Sequence, residues 1–310
     1  MSELAGPRPD EIELSLLGPG YGESVVVHMG GGEWMVVDSC AGRDGEPAAL
    51  NYLDRIGVDS RSAVKMIVAT HWHDDHTRGM SKIVDRCESA RFCCAAALRD
   101  KELLAAVDGL GGKTGFRMSS GAREIHAIFS HLAERRTQPI WAAASRRVFQ
   151  SGGCAVWALS PGDETLGRFL LSVGSLISTQ EISPRRVSPP SPNDLSVVLW
   201  VECKGAVALL GADLERNGWL AIVGEQTRPE GRASVFKVPH HGSATADVPE
   251  VWHRMLEPDP MAILTPWRRG DKALPTPEDV ARLLSRTTTA YASADPAWSS
   301  ENQDELPVRI

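Results

Sequence analysis

Three histidines and two aspartates fall within Thr70-His71-Trp72-His73-Asp74-Asp75-His76, directly after the apolar run Met66 to Ala69. Imidazoles and carboxylates crowded at the end of a buried strand would be costly to desolvate unless a cation compensated them, so the stretch reads as a metal site. In an extended segment His71 and His73 project the same way, and Asp75 and His76 follow on the turn. Four donors of two types, in two pairs, suit two neighbouring divalent ions better than one. A water shared by two such ions becomes hydroxide near neutral pH, because coordination lowers its pKa from about 15.7 to about 7. The same ions stabilise charge developing on an acyl or phosphoryl oxygen, so the chemistry in view is hydrolysis.

The elements that must position these donors follow from patterning. Ile12, Leu14 and Leu16 alternate as a strand does, a second strand spans Ser24 to Met29, and Gly30 to Gly32 turn the chain into a third over Glu33 to Val37, which ends at Asp38. No helix pattern starts at those glycines, so they form a turn and not a nucleotide loop. A helix over Pro47 to Ile56 precedes the buried strand Val64 to Ala69. Residues 83–147 are expected to be helix-rich, with helices at Ala95 to Val107 and Ala122 to Glu134, and Cys93 and Cys94 are expected as small apolar filler in an alanine-rich helix.

Strand character returns at Ala155 to Leu159. A proline- and serine-rich loop at 181–193, which includes Arg185 and Arg186, is either a surface excursion or a lid. A hairpin of Leu195 to Glu202 and Ala206 to Leu210 ends in Gly211-Ala212-Asp213, and a helix pattern follows over Leu214 to Val223. The strand Ser234 to Val238 ends in Pro239-His240-His241-Gly242-Ser243. A strand that ends in candidate donors has now occurred three times. Helices at Pro249 to Met255 and Thr276 to Ser285 flank a strand at Met261 to Thr265, with Thr276 as N-cap and Pro277 in the first helical position. No composition break marks a linker, so residues 1–310 are expected to form one layered α/β domain.

Composition narrows the function classes. A formal net charge of -7 argues against a protein that coats nucleic acid through a broad basic face, but two divalent ions in a cleft leave a phosphodiester substrate open. Six cysteines, at 40, 87, 93, 94, 154 and 203, form neither a disulfide framework nor a C-x-x-C zinc pattern, and reduced thiols are expected. An acidic N-terminus and the lack of a run approaching a membrane span point to a cytoplasmic protein with no membrane partner.

With these motifs in order, the chain resembles the metallo-β-lactamase superfamily, whose pattern is an early Asp at a strand end, His-x-His-x-Asp-His, a later bridging Asp and a final His. A nearer likeness is to the hydrolase domain of competence-type DNA-uptake channel proteins and its free-standing relatives. It rests on Gly20-Tyr21-Gly22-Glu23-Ser24, Asn193-Asp194-Leu195-Ser196, Gly211-Ala212-Asp213-Leu214-Glu215 and Lys237-Val238-Pro239-His240-His241-Gly242-Ser243. The resemblance implies a four-layer αββα sandwich with donors from loops at one edge. By it, His71 and His73 hold the first metal, Asp75 and His76 the second, Asp213 bridges both, and His240 completes the second site. Asp38 orients the histidine loop, and Asn193, Ser196, His241 and Ser243 contact substrate.

Two departures stand out. Relatives often have a further histidine for the first metal, where this chain offers only His126 and His131 in a helix, and a His-Pro pair where it has Leu274-Pro275. True β-lactam hydrolases of this fold commonly have cysteine where Asp213 stands, which disfavours that activity. The resulting expectation is a hydrolase with two divalent ions, zinc first with manganese or iron as alternatives, cleaving phosphodiesters in nucleic acid or nucleotides. Asp75, His240 and His241 are its expected catalytic residues, with Arg185, Arg186, Arg268 and Arg269 available to phosphate oxygens. A small-molecule acyl hydrolase such as a lactonase or thioesterase, or a non-catalytic module retaining the fold, are the alternatives.

Overall fold

The computed structural model describes residues 4–18, 21–42, 44–99, 120–177, 191–294 and 307–310. The first strands are β1 (Glu13–Leu17), β2 (Ser24–His28), β3 (Trp34–Val37), β4 (Val64–Ala69), β5 (Arg91–Ala95) and β6 (Ile140–Ala142). They lie side by side in chain order, antiparallel from β1 to β3 and parallel from β3 to β6, with Val308–Arg309 antiparallel to β1 as the seventh strand. The second seven-stranded sheet is built from β7 (Arg146–Ser151), β8 (Cys154–Ala158), β9 (Leu199–Cys203), β10 (Ala206–Leu210), β11 (Ala233–Lys237) and β12 (Leu256–Leu264). Neighbours from β7 to β10 are antiparallel, while β10, β11 and β12 run parallel. A separate hairpin of β13 (Trp267–Arg269) and β14 (Lys272–Leu274) follows, and β15 (Ala290–Ala292) completes the second sheet beside β12.

The strands read as continuous apolar runs because both of their faces are covered. Leu199 and Val201 of β9 turn inward, into one core shared with β1 to β5, whereas Trp200 between them turns outward against helices. The outer layer of the first sheet is α1 (Ala48–Arg55), the single turns α2 (Ser60–Ala63) and α3 (Asp74–Thr77), α4 (Met80–Arg86) and α5 (Ser120–Glu134). Leu53, Ile83 and Ile128 anchor that layer to the inter-sheet core. After α6 (Asp163–Ile177), the helices α7 (Arg216–Gly224), α8 (Pro249–Arg254) and α9 (Pro277–Leu284) cover the second sheet through Trp219, Val251 and Leu283. The result is the expected four-layer αββα sandwich.

Several local expectations change. Cys93 and Cys94 lie in β5 and not in a helix; packing between β4 and β6 overrides the helical leaning of the alanine-rich stretch. The helix expected over Ala95 to Val107 is replaced at its start by the end of β5 and a 3-10 turn at Ala96–Arg99, and its remainder lies outside the described residues. Most of the 181–193 loop also lies outside them, while Ser191 caps a 3-10 turn over Pro192–Leu195. The strand expected from Leu195 begins only at Leu199. Cys154 and Cys203 form a disulfide, against the expectation of reduced thiols throughout. They are direct partners in the β8 and β9 register, a proximity that spacing in the sequence does not reveal.

Candidate metal centre

Parallel neighbours place their C-terminal ends at the same edge of a sheet, and that rule assembles the site. β3 ends at Asp38 and β4 at the histidine loop, while β10 leads to Asp213, β11 to His240 and His241, and β12 to Thr265. The loop Thr70 to His76 is then pinned from several sides. Asp38 Oδ1 accepts the Thr70 N–H at 2.8 Å and Asp38 Oδ2 accepts the Thr70 hydroxyl at 2.7 Å. At the start of α5, a Cβ on Gly121 would fall 1.9 Å from Trp72 O, so only glycine lets that helix sit against the loop. Asp74 and Asp75 occupy the first turn of α3, where carboxylates face the positive end of the helix.

Asp75, His76, Asp213 and His241 each offer an atom within 4.8 Å of the others. His76 Nε2 stands 3.3 Å from Asp213 Oδ1, and His241 Nε2 stands 3.5 Å from Asp75 Oδ2 and 3.8 Å from Asp213 Oδ2. His76 Nε2, His241 Nε2 and Asp213 Oδ1 are all shut off from solvent and make no hydrogen bond. One such orphaned atom costs about 1–3 kcal/mol, and three converging on one point fit a divalent cation that would take all of them.

The opposite nitrogen of each ring is fixed. His76 Nδ1 lies 2.8 Å from Asp38 Oδ2, and His241 Nδ1 lies 3.0 Å from the Thr265 carbonyl, so each ring donates there and turns a lone pair inward. Burial works against charge on His76, yet Asp213 and Asp38 outweigh it and raise its pKa well above the ordinary value. Burial likewise pushes the Asp213 carboxyl up, but His76 and His241 hold it well below the usual range. The carboxylates therefore favour positive charge at this spot, which a cation would supply in place of the His76 proton.

His71 and His73 form the neighbouring pair, with His71 Nε2 3.2 Å from His73 Nδ1. Burial pushes both rings down, His71 well below its ordinary value, which leaves them uncharged and able to ligate. The His71 ring centroid is 4.3 Å from that of His76, so the two pairs adjoin. His126 is exposed on α5, and His131 Nδ1 lies 3.9 Å from Asp85 on the outer side, so neither supplies a third imidazole to the first pair.

Among the expected residues, His240 and His241 exchange places. Both adopt left-handed backbone conformations, with φ of 49° and 53°, and the twist sends His241 inward and His240 to the rim. The His240 side chain keeps 21% of its surface exposed, and its Nδ1 lies 3.1 Å from Thr245 Oγ1 and 3.6 Å from Glu215 Oε1. It does not join the donor group. Asn193 is buried beside it, Nδ2 donating to Glu215 Oε1 at 3.4 Å while Oδ1 has no partner. Ser196 is fully buried, which removes it from direct reach of a substrate. The Ser243 hydroxyl accepts the Thr245 N–H and so caps a turn. Arg185 and Arg186 lie outside the described residues, whereas Arg268 and Arg269 stand exposed on β13, whose Trp267 ring stacks on His241 at 6.3 Å.

Sequence reasoning gave no role to Glu23, Lys237 or Thr265, which lie directly behind the donors. Glu23 and Lys237 stand inside two of the motifs that carry the family resemblance, which was the available signal. Residues 17–124 match the family model described as the metallo-beta-lactamase superfamily. Over that stretch, which includes the histidine loop, the chain is similar to that superfamily. A 62-residue stretch is 40% identical to ComE operon protein 3 of Bacillus subtilis (strain 168), covering 20% of this chain and 8% of that protein. Among solved structures, the metallo-β-lactamase fold protein YhfI from Bacillus subtilis aligns over 73% of this chain and 70% of its own, at 9% identity and a TM-score of 0.37. MIM-2 metallo-beta-lactamase aligns over 80% and 87%, at 13% identity and a TM-score of 0.41. Zn(2+)-bound PqqB from Methylobacterium extorquens aligns over 72% and 71%, at 12% identity and a TM-score of 0.39. The chain thus combines the αββα sandwich with residues able to bind metal. Among the described residues no helix is long and apolar enough to cross a membrane.

Proposed function

We propose that the protein is a two-metal phosphodiester hydrolase acting on nucleic acid or nucleotides. The observation that carries this reading is the convergence of three orphaned buried atoms, on His76, Asp213 and His241, beside Asp75 and next to the His71 and His73 pair. In this assignment His71 and His73 would hold one ion and Asp75, His76 and His241 the other, with Asp213 available to either. The donor set of imidazole and carboxylate suits zinc, with manganese or iron as substitutes. When bound, such ions supply Lewis acidity that polarises a phosphoryl oxygen and lowers the pKa of water.

The chain's own groups supply the rest. Burial acts to raise the Asp75 carboxyl, but the His241 ring beside it keeps it well below the ordinary range, so Asp75 is a carboxylate that can accept a hydrogen bond from the attacking water. His240, on the rim and close to Glu215, is positioned to hand a proton to the departing oxygen. Arg268 and Arg269, on a hairpin whose Trp267 touches His241, suit the phosphates of a substrate that enters from that side. The partial likeness to ComE operon protein 3 supports the competence-type reading over a β-lactam one. A cytoplasmic location remains part of the proposal.

The test is a hydrolysis screen with bis-p-nitrophenyl phosphate, single-stranded DNA, RNA and a lactone panel, each with zinc and with manganese. Asp75→Ala and His71→Ala serve as controls. Turnover of the phosphodiesters, abolished in both variants, is expected. Turnover confined to lactones would replace the phosphodiester assignment with an acyl hydrolase.

A further inference from the structure

Glu23 is 2% exposed and Lys237 1% exposed, and they form an ion pair with each other. Burying two charges is costly, and a pair of apolar side chains would fill the same space at less expense. The position of the pair gives it a use. Glu23 leads into β2 of the first sheet and Lys237 ends β11 of the second, so the contact crosses the interior between the sheets at the edge where the donors gather.

From there the two residues touch every segment that carries a donor of the group Asp75, His76, Asp213 and His241. Glu23 N donates to Asp75 O at 3.0 Å. Glu23 Oε1 lies 3.8 Å from His76 Nδ1, and Oε2 lies 3.8 Å from His241 Nδ1. The Thr265 hydroxyl donates to Glu23 Oε2 at 2.7 Å, and the Thr265 carbonyl receives His241 Nδ1 at 3.0 Å. Lys237 Nζ donates to Ala212 O at 3.1 Å, and Lys237 O accepts the Gly211 N–H at 3.1 Å. Ala212 directly precedes Asp213 and sits at a φ of 45°, a left-handed conformation that an alanine holds only when its surroundings enforce it. Two donors, Lys237 Nζ and the His240 N–H, grip its carbonyl. Gly22 adds to the constraint, since a Cβ there would lie 2.7 Å from Asp75 O.

We infer that Glu23 and Lys237 are a positioning pair that presets Asp75, His76, Asp213 and His241 for the second ion. Neither belongs to the donor group, so they act through the residues they hold. The inference rests on the two-metal assignment above, and it predicts that the pair governs one ion more than the other. The His71 and His73 rings are held by Thr70 and by each other, with no bond to Glu23 or Lys237 among the described residues.

The experiment compares wild type, Glu23→Gln, Lys237→Met, the double variant E23M/K237M and Thr265→Val. Each is stripped with a chelator, melted without metal, and titrated with zinc and with manganese against a competing chelator. The single variants, which strand one charge, are expected to melt lower without metal and to bind the second ion about 10–100-fold more weakly. In the double variant the metal-free melting temperature returns toward wild type, because no charge is left unpaired, while second-ion affinity stays at least about 10-fold down. Recovery of both properties in the double variant would mean the pair only holds the fold, and would overturn the inference. Should the double variant fail to fold, Thr265→Val decides, since it keeps both charges and the His241 bond to the Thr265 carbonyl, and removes only the hydroxyl that joins Glu23 Oε2 at 2.7 Å to His241 Nδ1 at 3.1 Å. A second-ion affinity equal to wild type in that variant overturns the inference, and a loss of several fold supports it. A wild type that takes one ion or none overturns the two-metal assignment together with this inference. Two ions bound equally by wild type and variants overturn this inference alone.

Discussion

At the scale of single residues, the site turns on which ring nitrogen is free. His241 Nδ1 is committed to Thr265 and His76 Nδ1 to Asp38, so in both rings Nε2 is left facing Asp213. His240, one residue away, spends its Nδ1 on Thr245 at the rim. His241→Ala is therefore expected to drop bound zinc from two ions per chain to one, measured by elemental analysis after dialysis, whereas His240→Ala keeps both ions and loses only turnover. Equal loss of metal in the two variants would contradict this arrangement. The local cluster Thr70 to His76 was legible in the sequence because its donors are neighbours along the chain. The choice between His240 and His241 was not, because it depends on two consecutive left-handed residues, and no spacing rule reports φ.

At the scale of elements, two glycines in helices separate packing from propensity. Gly121, near the start of α5, has the Trp72 carbonyl where a Cβ would go, with both partners backbone, whereas nothing lies within 4 Å of a Cβ on Gly167 in α6. Gly121→Ala must push α5 away from the histidine loop, and overpacking of this kind typically costs about 1–3 kcal/mol. Gly167→Ala removes chain freedom from the unfolded state and should stabilise by about 0.4–1 kcal/mol. Urea unfolding of the two variants checks both signs: a neutral Gly121→Ala would count against the close approach, and a destabilised Gly167→Ala against open space at that position. Elements marked by local chemistry were readable. Thr276 does cap α9, its hydroxyl accepting the Asp279 N–H and the Asp279 carboxylate accepting the Thr276 N–H. The strand of Cys93 and Cys94 was not readable, because only its neighbours in the sheet make it one.

At the scale of the whole molecule, the candidate donors come from both sheets, so ions held by them would clamp the sandwich at one edge. The order of strand followed by donor was visible along the chain, but the pairing of β8 with β9 and the join of the two sheets through Glu23 and Lys237 were not, since both are contacts between distant residues. A ligand that binds only the folded state stabilises it by RT ln(1 + [L]/Kd), or about 2.7 kcal/mol at a free concentration of 100 Kd. Chelator-treated protein is thus expected to melt several degrees below zinc-loaded protein, with the gap widening as free zinc rises. His71→Ala and His241→Ala should each keep only part of the gap, because each removes a donor from a different pair. Reduction of the Cys154 and Cys203 disulfide should leave the gap intact. Cys203 pairs with Ala206 at the start of β10, the far end of that strand from Asp213, so the bond and the donors sit at opposite edges of the sheet. A zinc-dependent gap that vanished on reduction would show that the second sheet carries strain from that bond to the site, and that its two edges do not behave independently.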